Sequence, residues 1–337
     1  MANASRNIGV AVIGAGIMGT DHAHILHRDV SGCDVVGVCD VDLERARAVG
    51  GPLGAEATSD AEGLIQSPEV DAVLIASSDV THADYVRACL SAGKPVLCEK
   101  PLAPSAAECR SLAEEEAALT VPGGALISVG FMRRFDPGYV ELKELLSTGA
   151  LGTALVVHSV GRGVSAPAGT NELTITGSAI HDLDIVPWLL DDPVNEVSWQ
   201  APRQSPDVHD RQDPQLILLR TLDGVLVTVD VFLNARYGYD IRCEIVGSQG
   251  AASLAEPHTV RQDTDLVHGH RYAADWRPRF AQAYRLQSRA WIESLRRGVR
   301  SPLADAWDAV RAAQVADAAI ASMKSGGAWT RVAGSPE

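Results

Sequence analysis

Short apolar segments recur along the first third of the chain, and stretches rich in helix-forming residues separate them. Apolar runs of this length, divided by amphipathic segments, indicate buried parallel strands joined by helices. The predicted strands are Ile8–Ile13, Val35–Cys39, Ala72–Ala76 and Pro95–Cys98, and the predicted helices are Asp42–Val49, Thr81–Ala92 and Ser105–Leu119. We expect Thr81 and Ser105 to be helix N-caps. This alternation predicts a doubly wound α/β domain with a parallel sheet.

The pattern changes beyond Ala125, where β-rich segments follow one another with Gly, Asp and Pro turns between them instead of helices. The predicted strands are Thr153–Val160, Val194–Gln200, Leu216–Thr221, Val225–Phe232 and Ile241–Val246, with helices at Gly138–Ser147 and roughly Ala179–Leu190. Successive strands with short turns are typical of antiparallel or mixed sheets. The second part of the chain is therefore predicted to be an α+β domain with a large mixed or antiparallel sheet.

Two long amphipathic segments close the chain, Phe280–Arg297 and Ala304–Lys324, and Ser301-Pro302 separates them. Proline interrupts one helix and allows another to begin. A chain of 337 residues fits two domains. We expect a first domain over residues 1–125, a second over 126–300, and a C-terminal helix within 301–325 that packs back on the first domain.

The composition is that of a globular protein, with 46% hydrophobic and 21% charged residues. The formal net charge is −14, from 29 Lys and Arg against 43 Asp and Glu. Because such a field repels polyanions, we expect neither nucleic acid nor an anionic membrane surface as a partner.

The six cysteines show no CxxC spacing and no density typical of a secreted disulfide scaffold. No apolar run approaches the ~18 residues that a membrane span requires, and no leader-like segment precedes the first strand. We therefore expect a protein of the reducing cytoplasm. His22 and His24 lie two residues apart on a predicted helix, where their side chains point to different faces, so we expect no metal site there.

A glycine-rich turn follows the first predicted strand, and a helix follows the turn. The turn reads Gly14-Ala15-Gly16-Ile17-Met18-Gly19. In this pattern the first glycine permits a tight turn, the second lets the backbone approach a pyrophosphate, and the third lets the helix pack closely on the strand. The sequence therefore predicts that a dinucleotide binds at the start of the helix.

The second predicted strand ends at Asp40, about 20 residues after the last glycine, where a carboxylate binds the adenosine ribose hydroxyls. A carboxylate at this position also repels a 2′-phosphate. No arginine follows directly, since Val41 and Asp42 come next and Arg45 lies further on. We therefore predict NAD as the cofactor in preference to NADP.

A second motif follows the fourth predicted strand, where Val96-Leu97-Cys98 leads directly into Glu99-Lys100-Pro101. This segment closely resembles the signature of the glucose–fructose oxidoreductase, inositol dehydrogenase and rhizopine catabolism (Gfo/Idh/MocA) family. Ser77 and His82 match the cofactor-facing loop of that family. Three further stretches, Gly130–Asp136, Ile180–Asp184 and Tyr237–Gly247, resemble the inositol 2-dehydrogenases within it.

The resemblance implies a Rossmann domain, an α/β domain whose broad sheet commonly mediates homotetramers, and an active site in the cleft between them. It implies transfer of a hydride from a secondary alcohol of a cyclitol or sugar to NAD. The family pattern assigns the cofactor-binding residues Ser77, His82, Glu99 and Lys100, the catalytic pair Lys100 and His181, and the substrate-binding residues Met132, Arg133 and Tyr237.

The chemistry of the two proposed catalytic side chains agrees with these roles. A neutral imidazole at position 181 has a basicity suited to a general base. The ammonium group of Lys100 can stabilise a developing alkoxide. Arg134, next to the predicted pocket residue Arg133, is expected to be an exposed charge.

Two departures from the family pattern concern the substrate side of the site. Gly177 stands four residues before His181, where the family typically carries a carboxylate that orients the imidazole, and we assign it to the substrate pocket. Gly161-Arg162-Gly163 replaces a His-Arg-Asn-like run. Loss of a partner carboxylate lowers the rate by about 10⁴ in the serine protease triad.

Two hypotheses follow from these glycines. In the first, the chain is a dehydrogenase with a roomier pocket for a substituted cyclitol, an aminocyclitol or a glycoside, and Asp182, Asp184 or Glu172 supports His181. In the second, the chain binds NAD and a polyol but turns over slowly or not at all. The retained Lys100 and His181 favour the first hypothesis.

Overall fold

The structure is a computed structural model that describes residues 6–119, 125–255 and 260–335. The chain divides into two compact units. The first unit contains residues up to Met132 together with Gln282–Arg311, and the second contains Arg133–Ala281 together with residues from Ala312 onward. No helix within the described ranges is both long and apolar enough to cross a lipid bilayer.

The described part of the first unit contains a parallel sheet of six strands in the order β3-β2-β1-β4-β5-β6. The strands are β1 Ile8–Ile13, β2 Cys33–Cys39, β3 Glu56–Thr58, β4 Ala72–Ile75, β5 Val96–Cys98 and β6 Ile127–Val129. The helices are α1 Ile17–Asp29, α2 Leu43–Gly50, α3 Ala61–Gln66, α4 His82–Ser91 and α5 Ala106–Ala117. This strand order is that of a doubly wound dinucleotide-binding fold, which confirms the predicted fold class.

The helix starts in this unit show which predicted caps are present. Ser105 caps α5 by accepting the Glu108 N–H at 3.3 Å. Thr81 has the predicted N-cap position directly before α4, but its side chain makes no capping hydrogen bond, and a 3₁₀ turn over Asp79–Thr81 leads into the helix. The backbone of Thr81 is already helical, whereas an N-cap is extended, and its hydroxyl donates to the Ser78 carbonyl at 2.7 Å instead.

The last strand of this sheet, β6, lies beyond the predicted boundary at residue 125. It pairs in parallel with β5, with Val96 opposite Ile127 and Cys98 opposite Val129. Both β6 and β3 have only three residues. Segments this short carry little periodicity, so the sequence pattern missed β3 and assigned β6 to the second domain.

The described part of the second unit contains a mixed sheet of seven strands in the order β12-β11-β7-β10-β9-β8-β15. Its strands are β7 Ala154–Arg162, β8 Val194–Gln200, β9 Gln215–Thr221, β10 Leu226–Phe232, β11 Asp240–Gly247, β12 Ala251–Ser253 and β15 Thr330–Arg331. A separate hairpin is formed by β13 Gln262–Thr264 and β14 Val267–Gly269. Strands β7 and β10 are parallel, and the other pairs of the large sheet are antiparallel. The predicted mixed sheet is confirmed.

Alternate residues of β9, β10 and β11 are buried, as expected for a sheet that packs one face against helices. The helices wholly within this unit are α6 Pro137–Ser147, α7 Asn171–Thr174 and α8 Ile180–Leu190. Helix α9, Trp276–Arg297, has a non-helical backbone at Phe280, close to the point where the first unit resumes. In helix α10, Ala306–Lys324, residues up to Arg311 group with the first unit and the remainder with the second.

Candidate active site

The glycine turn between β1 and α1 leaves no space for side chains at two of its three glycines. Gly14 has a φ of +97°, and a Cβ there would lie 2.5 Å from the Ala76 carbonyl oxygen. A Cβ at Gly19 would lie 1.7 Å from the Gly14 carbonyl oxygen. At Gly16, by contrast, a Cβ would meet no atom of the described residues within 4 Å. The protein's own packing requires Gly14 and Gly19, and Gly16 leaves open space in which a ligand can approach the backbone.

Asp40, at the end of β2, is tied to this turn. Its carboxylate accepts the Ala15 N–H at 2.8 Å through Oδ2 and the Asp42 N–H at 2.9 Å through Oδ1. The Nη1 atom of Arg45 lies 3.5 Å from Oδ1. Residue Asp40 is 8% exposed, so its carboxylate is fixed beside the turn, at the position expected of a ribose-binding acid.

The loop after β4 carries Ser77, and His82 links this loop to the one after β5. The Ser77 hydroxyl contacts Thr81 Oγ1 at 2.7 Å. His82 is buried, with Nδ1 2.7 Å from the Pro101 carbonyl oxygen and Nε2 3.3 Å from the Ser77 carbonyl oxygen. A neutral imidazole donates through one nitrogen only. Both of these contacts of His82 are with backbone carbonyl groups. They join two loops at the carboxyl ends of neighbouring strands.

Three exposed apolar side chains lie at the same ends of β1, β2 and β4. Ile17 is 58% exposed, Val41 89% and Val80 71%. Apolar surface this exposed at a binding edge is available to a flat aromatic base. The sequence motif identified Ile17 as a cofactor residue but not Val41 or Val80. The position of Val41 directly after Asp40 was the available signal.

Glu99 and Lys100 follow β5, and Glu99 is paired with a histidine of α1. The Glu99 carboxylate lies 2.7 Å from His22 Nε2 through Oε1, and it accepts the Lys100 N–H at 3.2 Å through Oε2. Burial opposes ionisation of Glu99, but the hydrogen bond and charge of His22, together with the charge of Lys100, lower its pKa. The sequence pattern raised His22 only as a metal ligand, so this pair was not anticipated.

His181, in the second unit, stands at the start of α8, where the helix is irregular. A π-helical segment over Ile175–Ala179 separates α7 from α8, and Gly177 is at its centre. Single π-turns inside helices occur frequently at functional sites. A Cβ at Gly177 would meet no atom of the described residues within 4 Å, so local packing does not require glycine there.

The acids after His181 pair with the arginines that follow β6. Asp182 accepts from Arg133 Nη1 at 2.5 Å and from the Ser159 hydroxyl at 2.6 Å. Asp184 binds Arg134 in a bidentate pair. The expected exposed charge at Arg134 is therefore wrong, because its side chain is only 12% exposed and lies against a buried carboxylate. These pairs engage two of the three acids that were considered as partners of His181, Asp182 and Asp184; the third is Glu172.

Met132 and Arg133, two of the predicted substrate residues, are 2% and 3% exposed. The Arg133 guanidinium lies 6.0 Å from the Tyr139 ring centre and 5.8 Å from that of Phe280. Burial opposes its charge, but the charge and hydrogen bond of Asp182, together with Tyr139 and Tyr239, outweigh burial and raise the Arg133 pKa. The side chains of Met132 and Arg133 are thus both buried in packed protein interior.

Tyr237, the third predicted substrate residue, is 50% exposed. Its hydroxyl donates to Asp240 Oδ2 at 2.7 Å, and Arg242 Nη2 donates to the same oxygen at 2.6 Å. Partial burial, followed by the hydrogen bond and charge of Asp240, raises the pKa of Tyr237 to about 12. The phenol is therefore neutral at physiological pH, and its ring is accessible.

The other two glycines that depart from the family pattern differ from Gly177 and from each other. A Cβ at Gly163 would lie 2.5 Å from the Leu233 carbonyl oxygen, whereas a Cβ at Gly161 would meet Ile241 at an ordinary 3.9 Å. Gly163 is thus required by close backbone packing, while positions 161 and 177 have space. No group of three His, Cys, Asp or Glu suited to a metal ion occurs in the described ranges.

Two family domains match nearly the whole chain. Residues 8–122 match the oxidoreductase family domain described as an NAD-binding Rossmann fold, and residues 143–332 match its C-terminal alpha/beta domain. The chain belongs to the Gfo/Idh/MocA oxidoreductase family. Membership confirms the resemblance drawn from the Glu99-Lys100-Pro101 segment and the expectation of an NAD-binding domain.

Individual members of the Gfo/Idh/MocA family are similar to the chain along its whole length. Inositol 2-dehydrogenase 2 of Paenarthrobacter aurescens is 48% identical, with 96% of this chain and 98% of the relative covered. The protein of the same name from Saccharopolyspora erythraea is 44% identical over 94% and 93%. The crystal structure of myo-inositol dehydrogenase from Lactobacillus casei with NAD(H) and myo-inositol has a TM-score of 0.92, at 33% identity and 98% coverage of both chains.

Proposed function

We propose that the chain oxidises a secondary alcohol of an inositol-like cyclitol or a sugar with NAD as hydride acceptor. The observation that carries this proposal is the pre-formed cofactor turn, in which Asp40 is bonded to Ala15 and Gly16 leaves open space. Lys100 lies shortly after β5 of the same sheet. His181 lies in Ile180–Asp184, the segment that resembles the inositol 2-dehydrogenases. The relatives named above are inositol dehydrogenases.

The proposed division of labour follows from the chemistry of alcohol oxidation. Bound NAD supplies a hydride acceptor for the carbinol hydrogen. Lys100 donates a hydrogen bond to the reacting hydroxyl and stabilises the negative charge that grows on its oxygen. His181 accepts the hydroxyl proton, so that hydride and proton leave as the C=O bond forms.

We propose that Tyr237 contacts the polyol directly, because half of its surface is open and its neutral hydroxyl can bond a substrate hydroxyl. Met132 and Arg133 are both buried, and we propose that they support the substrate site rather than bind the polyol directly. The space at Gly177 and Gly161 favours a substituted cyclitol, an aminocyclitol or a glycoside over the smallest cyclitols. The alternative, a binding protein without turnover, receives no support from relatives that are named as dehydrogenases.

The experiment is NADH formation with a panel of cyclitols, aminocyclitols and sugars, using the wild type, Lys100→Met and His181→Ala. We expect activity on at least one polyol and a loss of about 10²–10⁴ in kcat for either variant. Lys324→Met, at an exposed lysine of α10, is the control and should match the wild type. Wild-type protein that binds NAD by calorimetry but reduces it with no polyol would contradict the proposal.

We also propose that the chain assembles as a homotetramer through the large sheet. The outer face of β7, β9 and β10 carries partly exposed Val156, Leu216, Leu218 and Leu226. His158, Thr228 and Asp230 lie on the same face, which is therefore mixed in character, as protein interfaces commonly are. Light scattering coupled to gel filtration tests this, and Leu218→Glu should yield smaller species.

We propose the cytoplasm as the compartment. All six cysteines are buried and none forms a disulfide bond, and burial raises the pKa of the Cys98 thiol. Buried thiols without disulfide bonds suit a reducing environment. Cell fractionation with a tagged full chain tests the assignment, and recovery from an extracytoplasmic fraction would contradict it.

A further inference from the structure

His22 is a buried histidine that the glycine motif does not explain. It lies in α1, three residues after Gly19, and is 1% exposed. Its Nε2 atom is 2.7 Å from Glu99 Oε1, and Glu99 is 8% exposed. Buried ionisable pairs carry a desolvation penalty that hydrophobic residues of similar size avoid. A pair placed here therefore requires a reason other than the stability of the fold.

The surroundings of the pair hold the Glu99 carboxylate in one place. Gly130 makes room for it, because a Cβ there would lie 3.1–3.2 Å from the carboxyl atoms. The ring of Tyr284 meets the His22 ring edge-on at 5.6 Å. The Nδ1 atom of His22 is buried and has no hydrogen-bond partner within the described ranges, so the polar contact of this ring is the one with Glu99.

The second oxygen of Glu99 leads to Lys100. It accepts the Lys100 N–H at 3.2 Å. The charges of Glu99 and Lys100 also interact, since the lysine contributes to the lowered pKa of Glu99. The ammonium group of a lysine is the form that stabilises an alkoxide. His22 thus connects the helix that begins at the cofactor turn to the backbone and charge of Lys100.

We propose that His22 is a positioning residue that acts through Glu99 to fix Lys100 for hydride transfer. The inference rests on the proposed role of Lys100 in catalysis. It assigns His22 no contact with substrate or cofactor. Loss of the pair should therefore lower kcat and leave NAD binding almost unchanged.

The test compares His22→Leu with His22→Gln, which keeps an N–H donor for Glu99, and with Leu26→Ala. Leu26 is fully buried in the same helix, so its truncation lowers the Tm without touching the pair. We expect kcat of His22→Leu to fall by about tenfold or more, with the Kd for NAD within about twofold by calorimetry. His22→Gln should recover most of the loss, and Leu26→Ala should keep wild-type kcat despite its lower Tm.

A second comparison uses Glu99→Gln alone and combined with His22→Leu. If His22 acts through Glu99, the double variant loses no more kcat than the more impaired single variant. Three results would each overturn the inference. The first is wild-type kcat in folded His22→Leu, and the second is losses of kcat that multiply in the double variant. The third is a kcat loss in Leu26→Ala equal to that in His22→Leu. Wild-type kcat in Lys100→Met would instead refute the proposed role of Lys100. If His22→Leu does not fold, the test uses His22→Gln and Glu99→Gln alone. Wild-type kcat in both of these variants would then overturn the inference.

Discussion

Arg45 lies against the carboxylate of Asp40, with its Nη1 atom 3.5 Å from Oδ1. The other carboxylate oxygen accepts the Ala15 N–H at 2.8 Å. The acid that repels a 2′-phosphate thus stands beside a guanidinium that can bind one. The carboxylate neutralises this guanidinium and is itself held to the cofactor turn, so the arrangement favours NAD.

Replacing the acid should release the arginine. In Asp40→Ser we expect kcat/KM for NADP to rise by about tenfold or more, because Arg45, which still lies 3.5 Å from Asp42, no longer has Asp40 beside it and can bind the 2′-phosphate. The kcat/KM for NAD should fall, since the ribose hydroxyls lose their hydrogen-bond acceptor. Steady-state kinetics with both cofactors measure the change. In Asp40→Ser/Arg45→Ala the gain should disappear, and a gain that persists would show that Arg45 has no part in it.

Gly177 and Gly163 provide a matched pair of glycine substitutions. Gly177→Asp places a carboxylate four residues before His181, at a position where a Cβ meets no atom of the described residues within 4 Å. We expect the fold to persist and kcat on myo-inositol to rise by about tenfold, because the imidazole gains an orienting acid. Turnover of larger cyclitols should fall as the side chain fills space. Steady-state kinetics with myo-inositol and with larger cyclitols measure both changes. An unchanged preference between these substrates would contradict the proposed pocket.

Gly163→Ala is the contrasting substitution. The added methyl would lie 2.5 Å from the Leu233 carbonyl oxygen, so backbone has to shift. We expect a loss of about 1–3 kcal/mol in the free energy of unfolding. Urea unfolding measures it. A variant as stable as the wild type would show that this loop adjusts without cost, and the distinction between the two glycines would then be invalid.

The sequence was sufficient to predict the NAD-binding domain because its signals are local. A strand, a glycine turn and an acid at fixed spacing report a geometry that the chain makes within one βαβ unit, and β1 matches its predicted bounds, Ile8–Ile13. The predicted ends of the longer strands were within two residues of those observed. Thr81 has the predicted N-cap position but makes no capping hydrogen bond, because its hydroxyl donates to the Ser78 carbonyl in the preceding 3₁₀ turn.

The polar pairs between distant segments were not predictable in this way. Arg133 and Asp182 are 49 residues apart, and His22 and Glu99 are 77 apart. No periodicity links residues at such separations. The motifs indicated that Arg133 and the acids near His181 matter, but only the fold shows that Asp182 binds Arg133 and that Arg134 is removed from solvent.

The buried pair of Arg133 and Asp182 should be sensitive to removal of one partner. We expect Arg133→Met to lower the free energy of unfolding by about 3–5 kcal/mol, because it leaves a carboxylate buried without its cation. Urea unfolding measures the loss. Arg133→Met/Asp182→Leu should recover much of it, since no uncompensated charge remains.

An exposed ion pair in the same unit provides the control for this prediction. Arg236 lies 2.9 Å from Asp207, with side chains 66% and 56% exposed. Exposed pairs contribute about 0–1 kcal/mol, so Arg236→Met should change stability little. Equal losses in Arg133→Met and Arg236→Met would mean that burial of the first pair has no energetic consequence.

The buried thiols predict how stability depends on alkaline pH. Burial raises the pKa of Cys89 from 9.0 to about 12, and the residue is fully buried in α4. Because the folded-state pKa lies above the unfolded value, the contribution of this thiol is fully present below pH 9.0 and is lost as the pH rises toward 12. A single such group loses about 1.4 kcal/mol per pH unit in this window. Urea unfolding at pH 8 and at about pH 10.5 should therefore show a smaller pH-dependent loss in Cys89→Ala than in the wild type. Equal losses in the two proteins would show that the Cys89 thiol ionises as readily when folded as when unfolded.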